Sequence, residues 1–227
     1  MLLNHSTLHC HIMQSFVDTG TAPTIDEMAT AFAVSTTELT AALEDLQDYH
    51  GVVLQPKSKE VWVMHPFSAA PTNFFIKADH CCWWGNCAWC SMGAAALLKC
   101  DLTITTTAGA EAKQLIVKVK DGQLEQNSLL VHFPIPMQHA WDNVTYTCSN
   151  MLLFESEQDI LNWCQRHRMP VGDIQPLQKI WQFSQVWYGN HMRQDWHKWT
   201  IDEARAMFQQ FGLQGPIWDL PVQQGRF

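Results

Sequence analysis

The chain has 227 residues and a mass of 26.0 kDa, enough for one large domain or two small ones with a buried core. Hydrophobic residues make up 47% and charged residues 16%, which argues against a disordered chain. The formal net charge is −8 with 14 lysines and arginines, which disfavours a general nucleic-acid binder. No apolar run approaches the ~18 residues of a membrane span, and residues 1–5 lack a signal-peptide pattern. We therefore expect a soluble, cytoplasmic protein with no membrane or nucleic-acid partner.

The N-terminal third predicts three helices followed by a β-hairpin. Apolar residues recur every four positions over residues 5–16, as expected of a helix. The next two helices open with capping boxes, each a hydroxyl paired with a glutamate: Thr24 with Glu27, and Ser35 with Glu38. Apolar segments at residues 52–54 and 61–64 then flank a polar turn. This order is that of a winged helix, and we predict a winged-helix-like module over residues 1–66.

The third helix of this module argues against DNA binding. It has no lysine or arginine and carries four acidic residues, Glu38, Glu44, Asp45 and Asp48. Acidic side chains repel the phosphates that a recognition helix must approach. We therefore interpret residues 1–66 as a structural or interaction module.

From residue 67 to residue 227 the pattern is that of a mixed α/β domain. Strands are predicted at residues 74–77, 102–107, 115–119, 129–133 and 144–147. Helices are predicted at residues 86–98, 156–168, 177–187 and 201–211. The expected fold class is therefore α+β, with an antiparallel or mixed sheet in the second domain.

Four of the eight cysteines, Cys81, Cys82, Cys87 and Cys90, fall within ten residues. Without an export signal the thiols are expected to be reduced, so such a cluster indicates thiol or soft-metal chemistry. The spacing Cys87-x-x-Cys90 fits a redox pair, half of a zinc site or a soft-metal clamp. A zinc ribbon needs a second Cys-x-x-Cys or a histidine pair, and neither follows in the sequence. A thioredoxin-like pair belongs near the start of its domain, so the redox interpretation is the second choice.

These two cysteines also open a predicted helix. The positive end of a helix macrodipole lowers the pKa of a thiol, so both Cys87 and Cys90 are expected to be rich in thiolate. A cysteine pair at a helix start, beside two more cysteines and three tryptophans, favours a functional site over simple burial.

Two separated motifs carry a resemblance to a known family. The first is Cys87-Ala88-Trp89-Cys90, at a helix start, and the second is Cys148 with the apolar segment after it. In order and spacing, residues 24–220 resemble the organomercurial (alkylmercury) lyases. The resemblance implies a winged-helix-like module before a mixed α/β lyase domain. It also implies that Cys87 and Cys148, the latter just after a strand, capture the mercury of R–Hg⁺ as thiolates.

One position departs from the family pattern. Three residues after the first cysteine the family usually has an aspartate, which relays the proton that releases R–H, whereas this chain has Cys90. The unperturbed pKa of a cysteine is ~8.5, against ~3.9 for an aspartate. Cys90 then either replaces the aspartate as proton carrier or becomes a third sulfur ligand that retains the metal.

The leading hypothesis is an organomercurial lyase that cleaves carbon–mercury bonds by protonolysis, with Cys87, Cys90 and Cys148 as its catalytic and metal-binding residues. Its substrate is a small organomercurial, no organic cofactor or structural metal is required, and its product is thiolate-bound Hg(II). Cellular thiols or a mercuric reductase would accept that Hg(II). The alternatives are a non-catalytic protein that binds mercury or copper through the same three thiols, and a thiol oxidoreductase using Cys87 and Cys90. A metal-sensing regulator is least favoured because its third helix would be acidic.

The remaining cysteines and histidines are weaker candidates. Cys81 and Cys82 are either auxiliary thiols that relay metal or loop residues without a role. Cys100 and Cys164 are expected in the core. The His9-Cys10-His11 segment falls at an N-terminus that we expect to be frayed and without function.

Overall fold

The fold combines helices with antiparallel sheets. The computed structural model describes residues 3–125, 128–221 and 226–227. Over these residues the helices are α1 (His5–Thr19), α2 (Ile25–Phe32), α3 (Thr36–Asp48), α4 (Ala88–Leu98), α5 (Val144–Asn150), α6 (Glu157–His167), α7 (Leu177–Trp187) and α8 (Ile201–Gln210). The strands are β1 (Val53–Leu54), β2 (Val61–Met64), β3 (Phe67–Ser68), β4 (Phe74–Lys77), β5 (Cys82–Gly85), β6 (Leu102–Thr107), β7 (Gln114–Lys120), β8 (Gln123–Leu124), β9 (Leu130–Phe133), β10 (Leu153–Phe154) and β11 (Asp173–Pro176). The predicted α+β class is confirmed.

The strands form a large and a small sheet. In the described part of the chain the large sheet has the order β1-β2-β3-β5-β4-β6-β7-β8, and the small one has the order β10-β9-β11. Every pairing is antiparallel. No helix among the described residues is both long and apolar enough to cross a membrane.

The N-terminal helices begin where the sequence predicts. Thr24 caps α2 and Ser35 caps α3, and each hydroxyl accepts the backbone N–H of a glutamate whose carboxylate binds back to the cap. The pair β1 and β2 then forms the predicted hairpin. The order of three helices and a hairpin is therefore observed, while the winged-helix assignment itself stays a prediction.

The large sheet continues across the predicted domain boundary at residue 66. Met64 of β2 pairs with Phe67 of β3, so the hairpin and the later strands share one ladder. The ring of Phe16 in α1 stacks on Phe67 at 5.4 Å between centroids, and the indole N–H of Trp83 donates to the Phe16 carbonyl at 2.6 Å. The two units, 1–66 and 67–227, thus share a sheet and a core, and their division stays a prediction.

Two local predictions are wrong. The predicted strand at residues 144–147 is the start of α5, because the side chain of Asn143 accepts the N–H of Tyr146 and caps a helix there. Cys148 therefore lies inside a helix and not after a strand. The N-terminus is not frayed either, since α1 begins at His5 and His9 is buried with its ring stacked on Trp196 at 3.5 Å.

Helix α4 is apolar on all sides because it is covered on all sides. It packs between the large sheet and α7, and most of its residues are buried. At Gly93 an added Cβ would lie 2.2 Å from a ring carbon of Tyr188, the residue after α7. The absence of a side chain at Gly93 lets this ring approach the helix.

We expect Gly93→Ala to destabilise the protein. In a solvent-exposed helix, replacing glycine by alanine stabilises the helix by about 1 kcal/mol. At this position the clash with Tyr188 adds overpacking strain of about 1–3 kcal/mol, which outweighs that gain. Urea unfolding should therefore show a lower midpoint with an unchanged slope. In a Tyr188→Ala background the clash is absent, and the same substitution should be neutral or stabilising. An equal loss of stability in both backgrounds would contradict this explanation.

Candidate active site

A small cavity of about 50 Å³ opens beside the start of α4. Its other walls come from α5 and the segment before it, from the end of α7 and the segment after it, and from His65 and Phe227. Its lining residues are His65, Cys87, Trp89, Cys90, Met137, Ala140, Trp141, Val144, Thr147, Cys148, Met151, Trp187, Tyr188, His191, Lys198 and Phe227. The cavity thus contains three thiols and three nitrogen bases, His65, His191 and Lys198, and it has aromatic walls.

Backbone contacts at the start of α4 bring the three cysteines together. Cys87 is the N-cap, and its sulfur accepts the backbone N–H of Cys90 at 3.3 Å. The backbone N–H of Ala88, the first residue of α4, donates to the carbonyl of Met151 at 3.0 Å, just beyond the end of α5. This bond joins the two helix ends, and Cys148 in α5 consequently lies next to both Cys87 and Cys90.

A histidine completes the cluster. The Nε2 atom of His65, which follows β2, lies 3.8 Å from the Cys148 sulfur and 3.3 Å from the amide nitrogen of Asn86. The Nε2 atom of His65 and the sulfurs of Cys90 and Cys148 all lie within 4.8 Å of one another. Burial lowers the pKa of His65, so its imidazole is neutral near pH 7.

The three thiols differ in acidity. Burial opposes ionisation of Cys90, but hydrogen bonds from Cys148, Cys87 and the Tyr188 hydroxyl hold its pKa well below the usual range. Burial raises the pKa of Cys87. Its interactions with the Cys87 and Cys90 sulfurs, together with burial, raise the pKa of Cys148 as well. Cys90 is therefore the most acidic of the three thiols.

This distribution corrects the expectation that both helix-start thiols would be acidic. The helix start does not make Cys87 acidic, because its burial outweighs the single N–H donor that its sulfur receives. Cys90 is acidic because several donors converge on it. One of them is the Tyr188 hydroxyl, which donates to its sulfur at 3.6 Å.

A buried lysine adds positive charge to the cavity. Burial lowers the pKa of Lys198 to about 7, and the Cys90 thiolate opposes that decrease. Its ammonium lies 4.2 Å from the ring centroid of Trp141, and its side chain forms no ion pair with any described residue. His50 stacks on the same indole at 4.5 Å and holds it in place.

Comparison with known proteins assigns the family. The family model of the alkylmercury lyases matches residues 67–189, more than half of the chain. The chain belongs to the alkylmercury lyase family. A crystal structure of the mercury-bound form of MerB2 superposes with a TM-score of 0.63 at 18% identity, covering 85% of this chain and 91% of that chain. At that identity the likeness shows a shared fold. No curated protein matches the sequence.

The other predicted thiols of this alkylmercury lyase lie away from the cavity. Cys82 is exposed at the first residue of β5, and Cys81 packs against Gly20. Strand β5 alone, from Cys82 to Gly85, spans ~10 Å at ~3.3 Å per residue. Cys164 is buried and contacts His132 at 3.6 Å, and Cys100 is half-buried.

Three residues of the cavity were not predicted from the sequence to have a function. His65 and Tyr188 lie within residues 24–220, over which the resemblance extends, but no chemistry was assigned to them. Lys198 was overlooked, although it stands between Trp196 and Trp199, and a lysine flanked by aromatic residues is a signal of partial burial.

We expect Tyr188→Phe to raise the pKa of Cys90. The lost hydroxyl donates to the sulfur and stabilises its thiolate form, so the ultraviolet thiolate absorbance should develop at higher pH than in the wild type. Cys90→Ser should abolish that low-pH transition. The matched control is Tyr146→Phe, whose hydroxyl contacts Met169 and not the thiols. If Tyr188→Phe and Tyr146→Phe titrate alike, the hydroxyl does not stabilise the thiolate.

Proposed function

We propose that this alkylmercury lyase cleaves carbon–mercury bonds by protonolysis, with Cys87 and Cys148 as the mercury ligands and Cys90 as the proton carrier. Membership of the family gives the reaction, the conversion of an organomercurial to a hydrocarbon and Hg(II). The observation that carries the assignment of roles is that one cavity holds three neighbouring thiols, of which Cys90 has a lowered pKa and the other two have raised ones. No organic cofactor enters the steps below.

In the first step mercury transfers from its carrier thiol to Cys148. This is the most exposed of the three thiols, at 6%, and it donates a hydrogen bond to Cys90. Its proton passes to the Cys90 thiolate, and its sulfur displaces R′S⁻ from R–Hg–SR′. The departing R′S⁻ takes the proton from Cys90 and leaves as R′SH, so Cys90 is a thiolate again.

In the second step the carbon–mercury bond breaks. The Cys90 thiolate takes the proton of Cys87, with which it shares a hydrogen bond, and the Cys87 sulfur bonds to mercury. Cys90 then delivers this proton to carbon, and the electron pair of the C–Hg bond forms the C–H bond of R–H. Hg(II) stays bound to Cys87 and Cys148, and Cys90 ends as the thiolate with which it began.

Lys198 and Tyr188 support the proton carrier. The positive charge of Lys198 favours the thiolate form of Cys90, and the Tyr188 hydroxyl donates a hydrogen bond to it. The aromatic walls surround the hydrocarbon group while it is bound. Small thiols or a mercuric reductase would then remove Hg(II) by exchange, and these requirements fit a reducing, cytoplasmic location.

A second candidate function is retention of the metal without turnover. It is favoured by the short distances among His65, Cys90 and Cys148, since Cys90 could then act as a further ligand instead of a proton carrier. Nucleic acid is not among the proposed partners. Helix α3 exposes Glu38, Glu44, Asp45 and Asp48, which repel phosphates.

Variants at Cys90 distinguish proton transfer from metal retention. With phenylmercury and excess thiol, Cys90→Asp should retain or raise benzene release, because it restores an anionic proton carrier. Cys90→Ser should lower release by ~10²-fold or more, the usual contribution of a positioned acid–base group. If Cys90 is instead a retaining ligand, both variants should hold less Hg(II) after desalting, and Cys90→Asp should be the faster lyase.

Cys87→Ser tests the mercury ligand itself. A hydroxyl does not supply the soft anionic ligand that mercury prefers, so we expect no benzene release. The matched control is Cys82→Ser, an exposed thiol at the far end of β5, which should behave as the wild type. Benzene release at the wild-type level from Cys87→Ser would mean that this cavity is not the active site.

A further inference from the structure

The thiol cavity contains a ligand set that differs from a pure sulfur site. The neutral imidazole of His65 lies 3.8 Å from the Cys148 sulfur, and Cys90 lies within 4.8 Å of both. Ligand atoms around a tetrahedral zinc ion, at ~2.0–2.3 Å from it, are separated by ~3.3–3.8 Å. Movements of about 1 Å would therefore let all three side chains bind one small ion.

The donor atom of His65 is oriented for this role. The amide nitrogen of Asn86 lies 3.3 Å from Nε2, and an amide N–H donated there requires that Nε2 carry a lone pair and no hydrogen. The same nitrogen faces the Cys148 sulfur. Metal binding would replace the Asn86 hydrogen bond with a bond to the ion.

We propose that His65, Cys87, Cys90 and Cys148 form a Cys₃His site for a divalent first-row ion, Zn²⁺. Imidazole and thiolate are the ligands that zinc accepts in closed tetrahedral sites. Cys87 lies outside the group whose ligand atoms are within 4.8 Å of one another, so it would supply the fourth ligand by moving towards the ion from its place beside both other cysteines. The Cys-x-x-Cys pair is thus half of a zinc site whose other half comes from β2 and α5.

The charge of the cavity fits such an ion. Three thiolates around a divalent cation leave one net negative charge, which is costly in a buried site unless it is paired. Lys198 lies in the same cavity without an ion-pair partner among the described residues, and its ammonium offsets that charge. The Tyr188 hydroxyl donates to the Cys90 sulfur and acts as an outer-shell partner of that ligand.

Zinc in this site would compete with the organomercurial, because both use the same sulfurs. This consequence rests on the proposed lyase function, whereas zinc binding itself does not. Mercury is softer than zinc and prefers thiolates more strongly, so R–Hg⁺ should displace the zinc and not the reverse. Zinc would then keep the thiols protected from oxidation until an organomercurial arrives.

The test uses the full-length, reduced protein titrated with Co²⁺ and then Zn²⁺. We expect one equivalent of Co²⁺ to give intense sulfur-to-cobalt charge-transfer bands and the visible bands of a tetrahedral site, and Zn²⁺ to bleach both. His65→Gln should weaken binding more than ~100-fold, since loss of an outer-shell partner alone costs ~10–100-fold. Cys90→Ser should reduce the charge-transfer intensity as well.

The matched control is Cys164→Ser, which removes another buried cysteine that touches a histidine, His132, outside the cavity. It should bind cobalt as the wild type does. If His65→Gln folds poorly, a second measurement replaces it. Zn²⁺ raises the melting temperature of a protein that binds it, and this rise is compared between the wild type, Cys90→Asp and Cys90→Ser. Absence of stoichiometric binding, or binding that His65→Gln and Cys164→Ser retain equally, would overturn the zinc site.

The two proposals fail separately in these experiments. A protein that releases benzene from phenylmercury but binds no cobalt or zinc refutes the zinc site alone. A protein that binds zinc through His65 and Cys90 but releases no benzene supports the zinc site and refutes the lyase roles.

Discussion

A buried thiolate needs its charge offset inside the protein, and the arrangement of the cavity follows from this requirement. Cys90 meets it through hydrogen bonds from two other thiols and from Tyr188, which together outweigh the cost of burial. The buried ammonium of Lys198 also needs its charge offset, and a negative charge on Cys90 favours its protonated form. The two charges depend on close packing of α4 against the segment that follows α7. Gly93 permits that packing by leaving room for the Tyr188 ring.

Cysteine at this position changes the chemistry that an aspartate would supply. An aspartate is anionic near pH 7 with little help, whereas a thiol needs a favourable environment, which Cys90 receives from its hydrogen-bond donors. A carboxylate is a hard ligand, but a thiolate is soft and binds mercury as well as a proton. The same atom can therefore carry the proton of the reaction or hold its product. The neighbouring His65 increases the tendency to hold a metal, and turnover requires that exchange with external thiols be fast enough to release it.

The N-terminal 66 residues contribute to the cavity wall. His65 directly follows β2 and faces the thiols, and His50, just after α3, stacks on the Trp141 indole that borders the cavity. The shared ladder between β2 and β3 fixes the position of His65 relative to the start of α4. These residues share the large sheet with the rest of the chain and supply a side chain to the cavity, whereas α3 offers no basic residue to a nucleic acid.

The sequence by itself determined those features that depend on residues close together in the chain. Capping boxes such as that of Ser35 and Glu38 predicted helix starts, because a cap satisfies free N–H groups within one turn. The sequence also placed the Cys87-x-x-Cys90 pair at the start of a predicted helix, which is α4. The Asn143 cap of α5 is a local signal of the same kind, which the strand prediction over residues 144–147 did not use. Only the tertiary structure decided that Cys90 is more acidic than Cys87, and that His65 and Lys198 join them. Acidity and cavity membership depend on burial and on neighbours that are distant in the chain, and no local pattern encodes these.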